Sequence, residues 1–297
     1  MPPKRTITGD APAKINLSLR IQGRRADGFH ELRTLMAPIG LADHLELRLG
    51  SREGSEKILF HCSDPTLPTG SDNLAVAAAE AFFEALDALG RGRQESLTIN
   101  LEKHIPSGAG LGGGSSDAAA VLSMLDELFD HPLGIERLAE IGGRLGSDVP
   151  FFLYQTVCEA TGRGEIVAPV DFPHSLPLVL AKPDFGVPTP WAYQNWADSS
   201  ELPGATYVRQ LTPWGEVVND LERPVFEKYL LLADLKSWFL GQPEVHAALL
   251  SGSGSTVYAV LRDPAGATPL LKHVREEFGK HLWLHATQTK PSLPSPA

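Results

Sequence analysis

The stretch that decides the fold is Lys103–Ala120, which reads KHIPSGAGLGGGSSDAAA. Its five glycines are Gly108, Gly110, Gly112, Gly113 and Gly114. Glycine loses the most backbone entropy on ordering, so this stretch predicts a loop with positive φ angles or a close approach to a ligand. The strand pattern LTINLEKHI precedes the loop, and the apolar helix pattern DAAAVLSMLDELF follows it, with Ser115, Ser116 and Asp117 as N-cap candidates. Strand, loop and helix N-terminus together predict a phosphate site.

Two other glycine-rich loops compete for this stretch. Gly108, Gly110 and Gly113 fit the G-x-G-x-x-G pattern of dinucleotide-binding folds. That fold needs an acidic residue at the end of a second strand about 20 residues further on. Here another helix pattern, IERLAEIGGRL, follows instead. A Walker-type P-loop requires Gly-Lys-Ser/Thr, which the loop lacks. A turn that only caps a helix needs fewer glycines, so phosphate binding is favoured.

Length and composition limit the class of protein. The 297 residues are long enough for two domains, and the 42% hydrophobic and 21% charged fractions are those of an ordinary soluble protein. The net charge of −10 argues against nucleic-acid binding, which depends on Lys and Arg. Two cysteines, Cys62 and Cys158, give neither a disulfide framework nor a cysteine metal cluster. Without a signal-peptide pattern at residues 1–10 or a membrane-length apolar run, we expect a cytoplasmic protein with no membrane partner.

The first half of the chain reads as strands followed by helices. Alternating apolar and polar residues predict strands at AKINLSLRIQ, HELRTLMAPI, DHLELRLG and KILFHC. The pattern NLAVAAAEAFFEALDAL predicts a helix that Ser71 or Asp72 caps. A later helix pattern stops at Gly146, and Pro150 is tolerated only near the start of a new helix.

The second half mixes strands and helices without a βαβ repeat. We predict strands at VCEATGRGEIVAPV, PLVLAKP and LWLHATQT, a helix or loop at VPTPWAYQNW, and an amphipathic helix at TPLLKHVREEFG. Residues 216–221 and 225–232 read as helices split by Pro224, and VHAALLSGSGSTVYAVL reads as helix, glycine turn and strand. These patterns favour an α+β sandwich. The predicted domains are 1–160 and 161–288, and the Pro- and Ser-rich tail 289–297 is expected to be disordered.

Pro106–Ser116, PSGAGLGGGSS, resembles the ATP loop of the GHMP kinases, a family that includes galactokinase, homoserine kinase and mevalonate kinase. Further matching stretches within residues 11–260 resemble the member that phosphorylates a diphosphocytidyl sugar alcohol. The resemblance implies a two-domain α+β fold, with an N-terminal ribosomal protein S5 domain 2-like domain and a C-terminal ferredoxin-like α/β sandwich. It also implies transfer of phosphate from ATP, with Mg²⁺, to the 2-hydroxyl of that small substrate in non-mevalonate isoprenoid synthesis, by a monomer or homodimer.

By this resemblance the glycine loop holds ATP. The residues that it assigns to ATP are Pro106, Ser107, Gly108, Ala109, Gly110, Leu111, Gly112, Gly113, Gly114, Ser115, Ser116 and Asn73. Asn73 could equally cap a helix, and the two serines could touch Mg²⁺ or the phosphates or only cap, so the metal ligands stay open. The family's usual Asn is Asp117 here, and a carboxylate near ATP is unfavourable unless it points away or caps the helix.

The resemblance also assigns the catalytic pair. Asp148, in GSDVPFF, matches the aspartate that takes the proton from the acceptor hydroxyl, whereas the residues alone favour a helix N-cap before Val-Pro. Lys14, in the A-K-x-N motif, is implied to pair with Asp148 and to offset charge on the acceptor, whereas a single lysine on a strand is more often solvated. Asn16 faces the same way as Lys14 and is assigned to the substrate.

The remaining matches concern the substrate. Phe29 and His30 match the segment that holds cytosine, and Phe29 departs from the usual Tyr by losing a hydroxyl while keeping the stacking face. Thr189 and Tyr193 match the opposite wall, where Tyr193 would sandwich the base against Phe29. For these aromatic residues, core packing is the alternative. A third motif consists of Gly252, Ser253 and Gly254, which could also be only a tight turn.

Three rival functions stay open at this point. A GHMP kinase for another alcohol would have no use for the Phe29-His30 and Thr189-Tyr193 pairs. A nucleotide-binding regulator without turnover would not need both Lys14 and Asp148. A dinucleotide-dependent oxidoreductase is disfavoured by the missing strand and acidic residue.

Overall fold

The computed structural model describes residues 5–51, 58–91, 95–207 and 210–291. By its internal contacts the chain divides into two compact units. Unit 1 comprises Met1–Ala13, Leu41–Ile105 and Gly112–Gln155, and unit 2 comprises Lys14–Gly40, Pro106–Leu111 and Thr156–Ala297. The first two strands, β1 (Thr6–Arg24) and β2 (His30–Ser51), each contribute residues to both units.

In the residues that the structure describes, unit 1 combines a sheet with four helices. Its further elements are β3 (Ile58–Cys62), α1 (Leu74–Ala88), β4 (Glu95–Glu102), α2 (Gly113–Leu128), α3 (Gly134–Leu145) and α4 (Val149–Tyr154). β4 pairs antiparallel with β2 and parallel with β3. The alternating pattern of β4 buries Leu97, Ile99 and Leu101. α2 packs against α1 and α4, which brings the start of α2 and the start of α4 into the same unit.

Unit 2 contains a four-stranded antiparallel sheet and a second group of strands. Its elements are β5 (Cys158–Gly162), β6 (Ile166–Pro169), β7 (Pro177–Lys182), α5 (Thr189–Gln194), β8 (Gln210–Thr212), β9 (Gly215–Asn219), α6 (Glu222–Lys228), α7 (Leu230–Leu240), β10 (Val245–Leu250), β11 (Val257–Leu261), α8 (Ala267–Phe278) and β12 (Trp283–Gln288). The four-stranded sheet has the order β10-β11-β7-β12. α7 packs on β10 and β11, and α8 packs on β7 and β12. In the second group, β5 pairs with β2 and β6, and β9 pairs parallel with β1 and antiparallel with β8.

Two predicted helices are strands. Residues 216–221 lie largely in β9, because this short segment with Val217 and Val218 pairs with β1, which is about 200 residues away in sequence. The run VHAALL forms β10, since a short buried apolar run has no periodicity that separates a strand from a helix. Pro224 does not split two helices but lies in the first turn of α6, where proline is tolerated.

Other boundaries also differ from the sequence prediction. The two strands predicted within residues 30–49 form the single strand β2. α2 begins at Gly113 with Gly112 as its N-cap, so Ser115, Ser116 and Asp117 lie inside the helix and do not cap it. α1 is capped by Asn73, whose Oδ1 accepts from Ala75 N, and not by Ser71 or Asp72.

The other predicted elements are present, from the strands around the Gly-Arg-Gly turn to the last helix and strand. The short strand β8 was not predicted, and the helix predicted at 225–232 is divided between α6 and α7. The domain limits at 160 and 288 stay a prediction. Most of the tail that we expect to be disordered, residues 292–297, lies outside the described residues. Within the described part of the chain, none of the helices combines the length and apolarity that crossing a bilayer requires.

Candidate active site

The first half of the glycine loop, Pro106–Leu111, is held in unit 2 by the turn between β10 and β11. Gly108 and Gly110 have φ angles of 62° and 73°, in the region that favours glycine. The carbonyl oxygen of Gly110 accepts from Ser251 Oγ at 3.0 Å, and that of Ala109 accepts from Thr256 N at 3.1 Å. A Cβ at Gly110 would lie 2.1 Å from Ser251 O. The loop therefore requires glycine here because another backbone segment occupies the space of a side chain.

The second half of the loop becomes the start of α2 in unit 1. Gly112 has a φ angle of 73° and is the N-cap of α2, which begins at Gly113. The first N–H groups of a helix lack partners within it, so this end can bind an anion. Ser116 is buried and donates from Oγ to Pro12 O at 2.7 Å, whereas Ser115 is partly exposed. Of the two serines, Ser115 therefore has the more accessible hydroxyl.

Asp148 precedes α4 at the turn that follows Gly146. Among the described residues, its side chain makes no capping hydrogen bond to α4. The alternative that the Asp148 side chain serves only as a helix cap is therefore not supported. Asp148 is partly exposed, and its neighbours Val149 and Pro150 are buried. A Cβ at Gly146 would lie 3.7 Å from Ser115 Oγ, so the turn that carries Asp148 runs beside the start of α2. Unit 1 thus brings a carboxylate-bearing turn to the helix N-terminus predicted to bind phosphate.

Unit 1 contains a buried charge cluster of Lys103, Asp43 and Asp117, which the sequence analysis did not predict. Lys103 Nζ donates to Asp43 Oδ2 and, at 2.7 Å, to Asp117 Oδ2. Asp43 Oδ1 also accepts from His104 N and Ile105 N, at 2.5 and 2.8 Å. The cluster therefore fixes the chain where it enters the glycine loop. Its sequence signal is the KHIP run that follows β4, but its acidic partners are far away in sequence.

Asp117 does not act as a helix cap. Its side chain is directed to Lys103, and its Oδ1 is buried without a hydrogen-bond partner among residues 5–51, 58–91, 95–207 and 210–291. Burial raises the pKa of Asp117 to about 7, although Lys103 opposes this shift. Burial would lower the pKa of Lys103, but its pairing with Asp117 and Asp43 raises it overall. Two carboxylates thus share one ammonium group beneath the start of α2.

Asn73 is occupied by local structure. Its Oδ1 caps α1, and its Nδ2 donates to Pro68 O at 3.0 Å. The capping alternative is therefore realised, and contact with a nucleotide stays a prediction for this residue.

Lys14 and Asn16 form a buried polar group in unit 2. Lys14 is 4% exposed and donates from Nζ to Asn16 Oδ1 at 2.7 Å, so it is not a solvated lysine. Asn16 Nδ2 donates to Thr34 Oγ1 at 2.8 Å, which fixes the orientation of the amide. A Cβ at Gly252 would lie 3.4 Å from both Lys14 Nζ and Asn16 Oδ1. The Gly252 turn therefore lies directly against this pair.

The aromatic residues predicted to bind cytosine are also in unit 2. His30 stacks on Tyr193 with ring centroids 5.6 Å apart and an interplanar angle of 27°. Burial lowers the pKa of His30, and Arg24 lowers it further, so the ring is neutral near pH 7. Phe29 is 50% exposed, and the Arg163 guanidinium lies 4.7 Å from its ring centroid. The structure thus brings His30 and Tyr193 together and leaves Phe29 half exposed, with Arg163 over its ring.

Thr189 meets the third motif. Its Oγ1 lies 2.8 Å from Ser253 Oγ, at hydrogen-bond distance. Gly252 and Gly254 have positive φ angles of 55° and 90°, as a tight turn requires. The two stretches predicted to contact the substrate are therefore joined to each other.

The described side chains contain no group of three or more His, Cys, Asp and Glu residues arranged to hold a metal ion. A Mg²⁺ ion bound chiefly by nucleotide phosphates needs only one or two protein ligands. The partly exposed Ser115 at the start of α2 could supply one such ligand.

Comparison with known proteins extends this picture. The sequence model of the GHMP kinases N terminal domain matches residues 73–156, and that of the GHMP kinases C terminal domain matches residues 205–280. The chain is similar to a 4-diphosphocytidyl-2-C-methyl-D-erythritol kinase from Methylacidiphilum infernorum, with 42% identity over 94% of this chain and 95% of the relative. A kinase of the same name from Syntrophotalea carbinolica is 41% identical over 91% of this chain and 94% of the relative.

Solved structures give the same result at the level of the fold. A crystal structure of 4-(cytidine 5'-diphospho)-2C-methyl-D-erythritol kinase has a TM-score of 0.76 and 35% identity, covering 96% of this chain and 100% of that one. A homoserine kinase from Cytophaga hutchinsonii has a TM-score of 0.67 at 19% identity, covering 98% of this chain and 96% of that one. The second likeness concerns the fold alone.

Proposed function

The chain belongs to the GHMP kinase family, and we propose that it transfers the γ-phosphoryl group of ATP to the 2-hydroxyl of 4-diphosphocytidyl-2-C-methyl-D-erythritol. It is a kinase, and the family implies ATP as its phosphate donor. The observation that carries the substrate proposal is 42% identity over 94% of the chain to a kinase of that name. The neutral His30–Tyr193 stack supports it, because a base-binding site needs a flat aromatic surface and a group that reads the base edge.

We propose that the phosphates bind to backbone N–H groups of the glycine loop and of the first turn of α2. Positive φ angles at Gly108, Gly110 and Gly112 support this, since they let the backbone approach an anion without side chains in the way. Ser115 would be the protein ligand of Mg²⁺, which offsets the phosphate charge when bound. Phosphoryl transfer depends mainly on such positioning and charge stabilisation, so this backbone carries much of the catalysis.

Asp148 is proposed as the base that takes the proton from the 2-hydroxyl. Two features support this assignment: the side chain is not used as a helix cap among the described residues, and its turn runs beside Ser115. An ionised carboxylate accepts a proton in the transition state and typically contributes about 10²–10⁴-fold to the rate.

Lys14 is proposed to stabilise the charge that develops on the attacking oxygen. A buried ammonium in a region of low dielectric acts more strongly on such a charge than a solvated one. Asn16 orients Lys14 through the 2.7 Å hydrogen bond, and Thr34 orients Asn16.

We propose that the cytosine ring stacks on Phe29 and Tyr193, with His30 beside it. The 50% exposure of Phe29 supports a stacking role, and the missing hydroxyl does not affect the ring face. Thr189 and Ser253, joined by their hydroxyl groups, are proposed to contact the substrate from the other side.

The test is a substrate panel with the purified 297-residue chain. ADP release is measured with 4-diphosphocytidyl-2-C-methyl-D-erythritol, mevalonate, homoserine and galactose at equal concentrations. We expect ADP release only with the cytidine compound and not with the other three alcohols. Equal or faster release with another alcohol would identify a different GHMP kinase, and ATP binding without release with any acceptor would favour a nucleotide-binding regulator.

A further inference from the structure

A buried side chain behind the Gly252 turn has no assigned role in the reaction. Asn219, at the end of β9, is 3% exposed. Its Nδ2 donates to Leu250 O at 2.8 Å and to Gly252 O at 2.7 Å. Its Oδ1 accepts from Leu221 N at 2.9 Å. The Leu221 bond fixes which way the amide points, because a flipped amide would turn its oxygen toward two carbonyl oxygens.

Glu222 holds the same segment from the next turn of chain. Its Oε1 accepts from Leu250 N at 3.0 Å, and its Oε2 accepts from Lys236 Nζ at 2.6 Å. Both charged groups are buried, and each compensates the other. Asn219 and Glu222 together therefore bind three backbone groups at residues 250 and 252.

The segment that they hold contacts two parts of the proposed site within unit 2. Gly252 has a φ of 55°, and a Cβ there would lie 3.4 Å from Lys14 Nζ, from Asn16 Oδ1 and from Gly110 O. Ser251 donates to the glycine loop at Gly110 O. A shift of this turn would therefore change the contacts of Lys14 and of the glycine loop at the same time.

We propose that Asn219 is a positioning residue for phosphoryl transfer, which acts by fixing the Gly252 turn against Lys14 and the glycine loop. The inference rests on the proposed function of Lys14. Asn219 lies behind the turn and acts through backbone carbonyl groups. Because a displacement of about 1 Å can cost about 10²-fold in rate, two hydrogen bonds at this turn can control turnover.

The neighbouring strand β8 offers a control side chain, Gln210, that also binds β10. Gln210 donates from Nε2 to Ala248 O at 2.9 Å and accepts from Ala248 N at 2.9 Å. It therefore also binds β10 with two side-chain hydrogen bonds, but at a residue before the turn. Gln210→Ala removes the two bonds to Ala248, whereas Asn219→Ala removes the bonds to Leu250 O and Gly252 O together with the bond from Leu221 N, so only Asn219→Ala releases the turn.

The experiment measures kcat, the KM for ATP and the urea midpoint for both variants and the wild type. For Asn219→Ala we expect kcat to fall at least about tenfold, while the KM for ATP changes less than about threefold. For Gln210→Ala we expect a lower urea midpoint with kcat within about twofold of the wild type. If Asn219→Ala does not fold, Asn219→Ser keeps a hydroxyl donor and is expected to show the same loss of kcat to a smaller extent.

Two results would overturn the inference: a folded Asn219 variant with kcat within about twofold of the wild type, or equal kcat losses in both variants, which indicate a general structural effect. The comparison uses ratios to the wild type on whichever alcohol the wild type phosphorylates. Failure of the wild type on the cytidine compound would therefore contradict the proposed function and leave the variant ratios interpretable.

Discussion

The buried carboxyl group of Asp117, which shares the Lys103 ammonium group with Asp43, predicts an unusual dependence of the free energy of unfolding on pH. The pKa of this buried carboxyl is raised from 3.8 to about 7, chiefly by burial and with a contribution from Asp43. Between these two values the folded protein holds a proton that the unfolded chain has released. The free energy of unfolding therefore falls as the pH rises from about 4 to about 7, and the loss stays in full above pH 7. Lys103 remains charged throughout, because pairing raises its pKa.

The substitution Asp117→Asn removes this titration and keeps the shape of the side chain. A difference of about three pH units corresponds to at most about 4 kcal/mol, and this sets the upper limit of the effect. We expect the variant to match the wild type near pH 4.5 and to exceed it by about 1–4 kcal/mol at pH 8. The variant also relieves the competition of two carboxylates for one ammonium group.

The assay is urea unfolding of both proteins at pH 4.5, 6 and 8, followed by fluorescence. The control is Asp64→Asn: Thr66 lowers the pKa of Asp64 below its ordinary 3.8, so this carboxyl is largely ionised in both states at pH 4.5, and the difference in stability between this variant and the wild type should stay constant from pH 4.5 to pH 8. If the curves for Asp117→Asn and the wild type stay parallel from pH 4.5 to pH 8, the charge cluster does not titrate as argued.

Three further substitutions test separate parts of the site. Lys14→Met should lower kcat about 10²-fold with little change in the KM for ATP, and an equal change in both parameters would contradict a role in the transition state. Gly110→Ala should cost about 2–4 kcal/mol in urea unfolding, since its Cβ would lie 2.1 Å from a backbone oxygen, whereas Gly204→Ala, with φ of 85° and open space, should cost about 1 kcal/mol; equal costs would refute the close-approach argument. Tyr193→Leu, which removes the His30 stack, should raise the KM for the cytidine substrate about 10–100-fold at an unchanged KM for ATP, and a change confined to ATP would contradict base stacking.

The parts of the fold that are local in sequence could be predicted. The strand alternation in β1, the glycine loop and the helix that follows it, and the amphipathic α8 are all readable from patterns of fewer than 20 residues. β9 was wrongly predicted as a helix because its strand partner in β1 is about 200 residues away. The helix prediction for the residues of β10 was also wrong, because a short buried apolar run has no periodicity that separates a strand from a helix.

The residues of the candidate site also divide into those that the sequence could predict and those that it could not. The candidate residues near the glycine loop followed from motifs, but the structure alone shows that Lys14 is buried and that Asn73 is used as a cap. Asp117 was one of three candidates for the N-cap of α2, and its pairing with Lys103 depends on how the segment after β4 packs against α2. Asn219 was missed, because its partners are 31 and 33 residues away and are backbone groups that no side-chain pattern marks.

The central claim is that a carboxylate beside the glycine loop takes the proton during phosphoryl transfer from ATP. Its most direct test is a single-turnover measurement with labelled ATP, comparing the wild type with Asp148→Asn at saturating acceptor. We predict that the variant binds ATP with an affinity close to that of the wild type, while the rate of transfer falls by about 10²–10⁴-fold. Transfer at the wild-type rate in a folded Asp148→Asn protein would contradict the account.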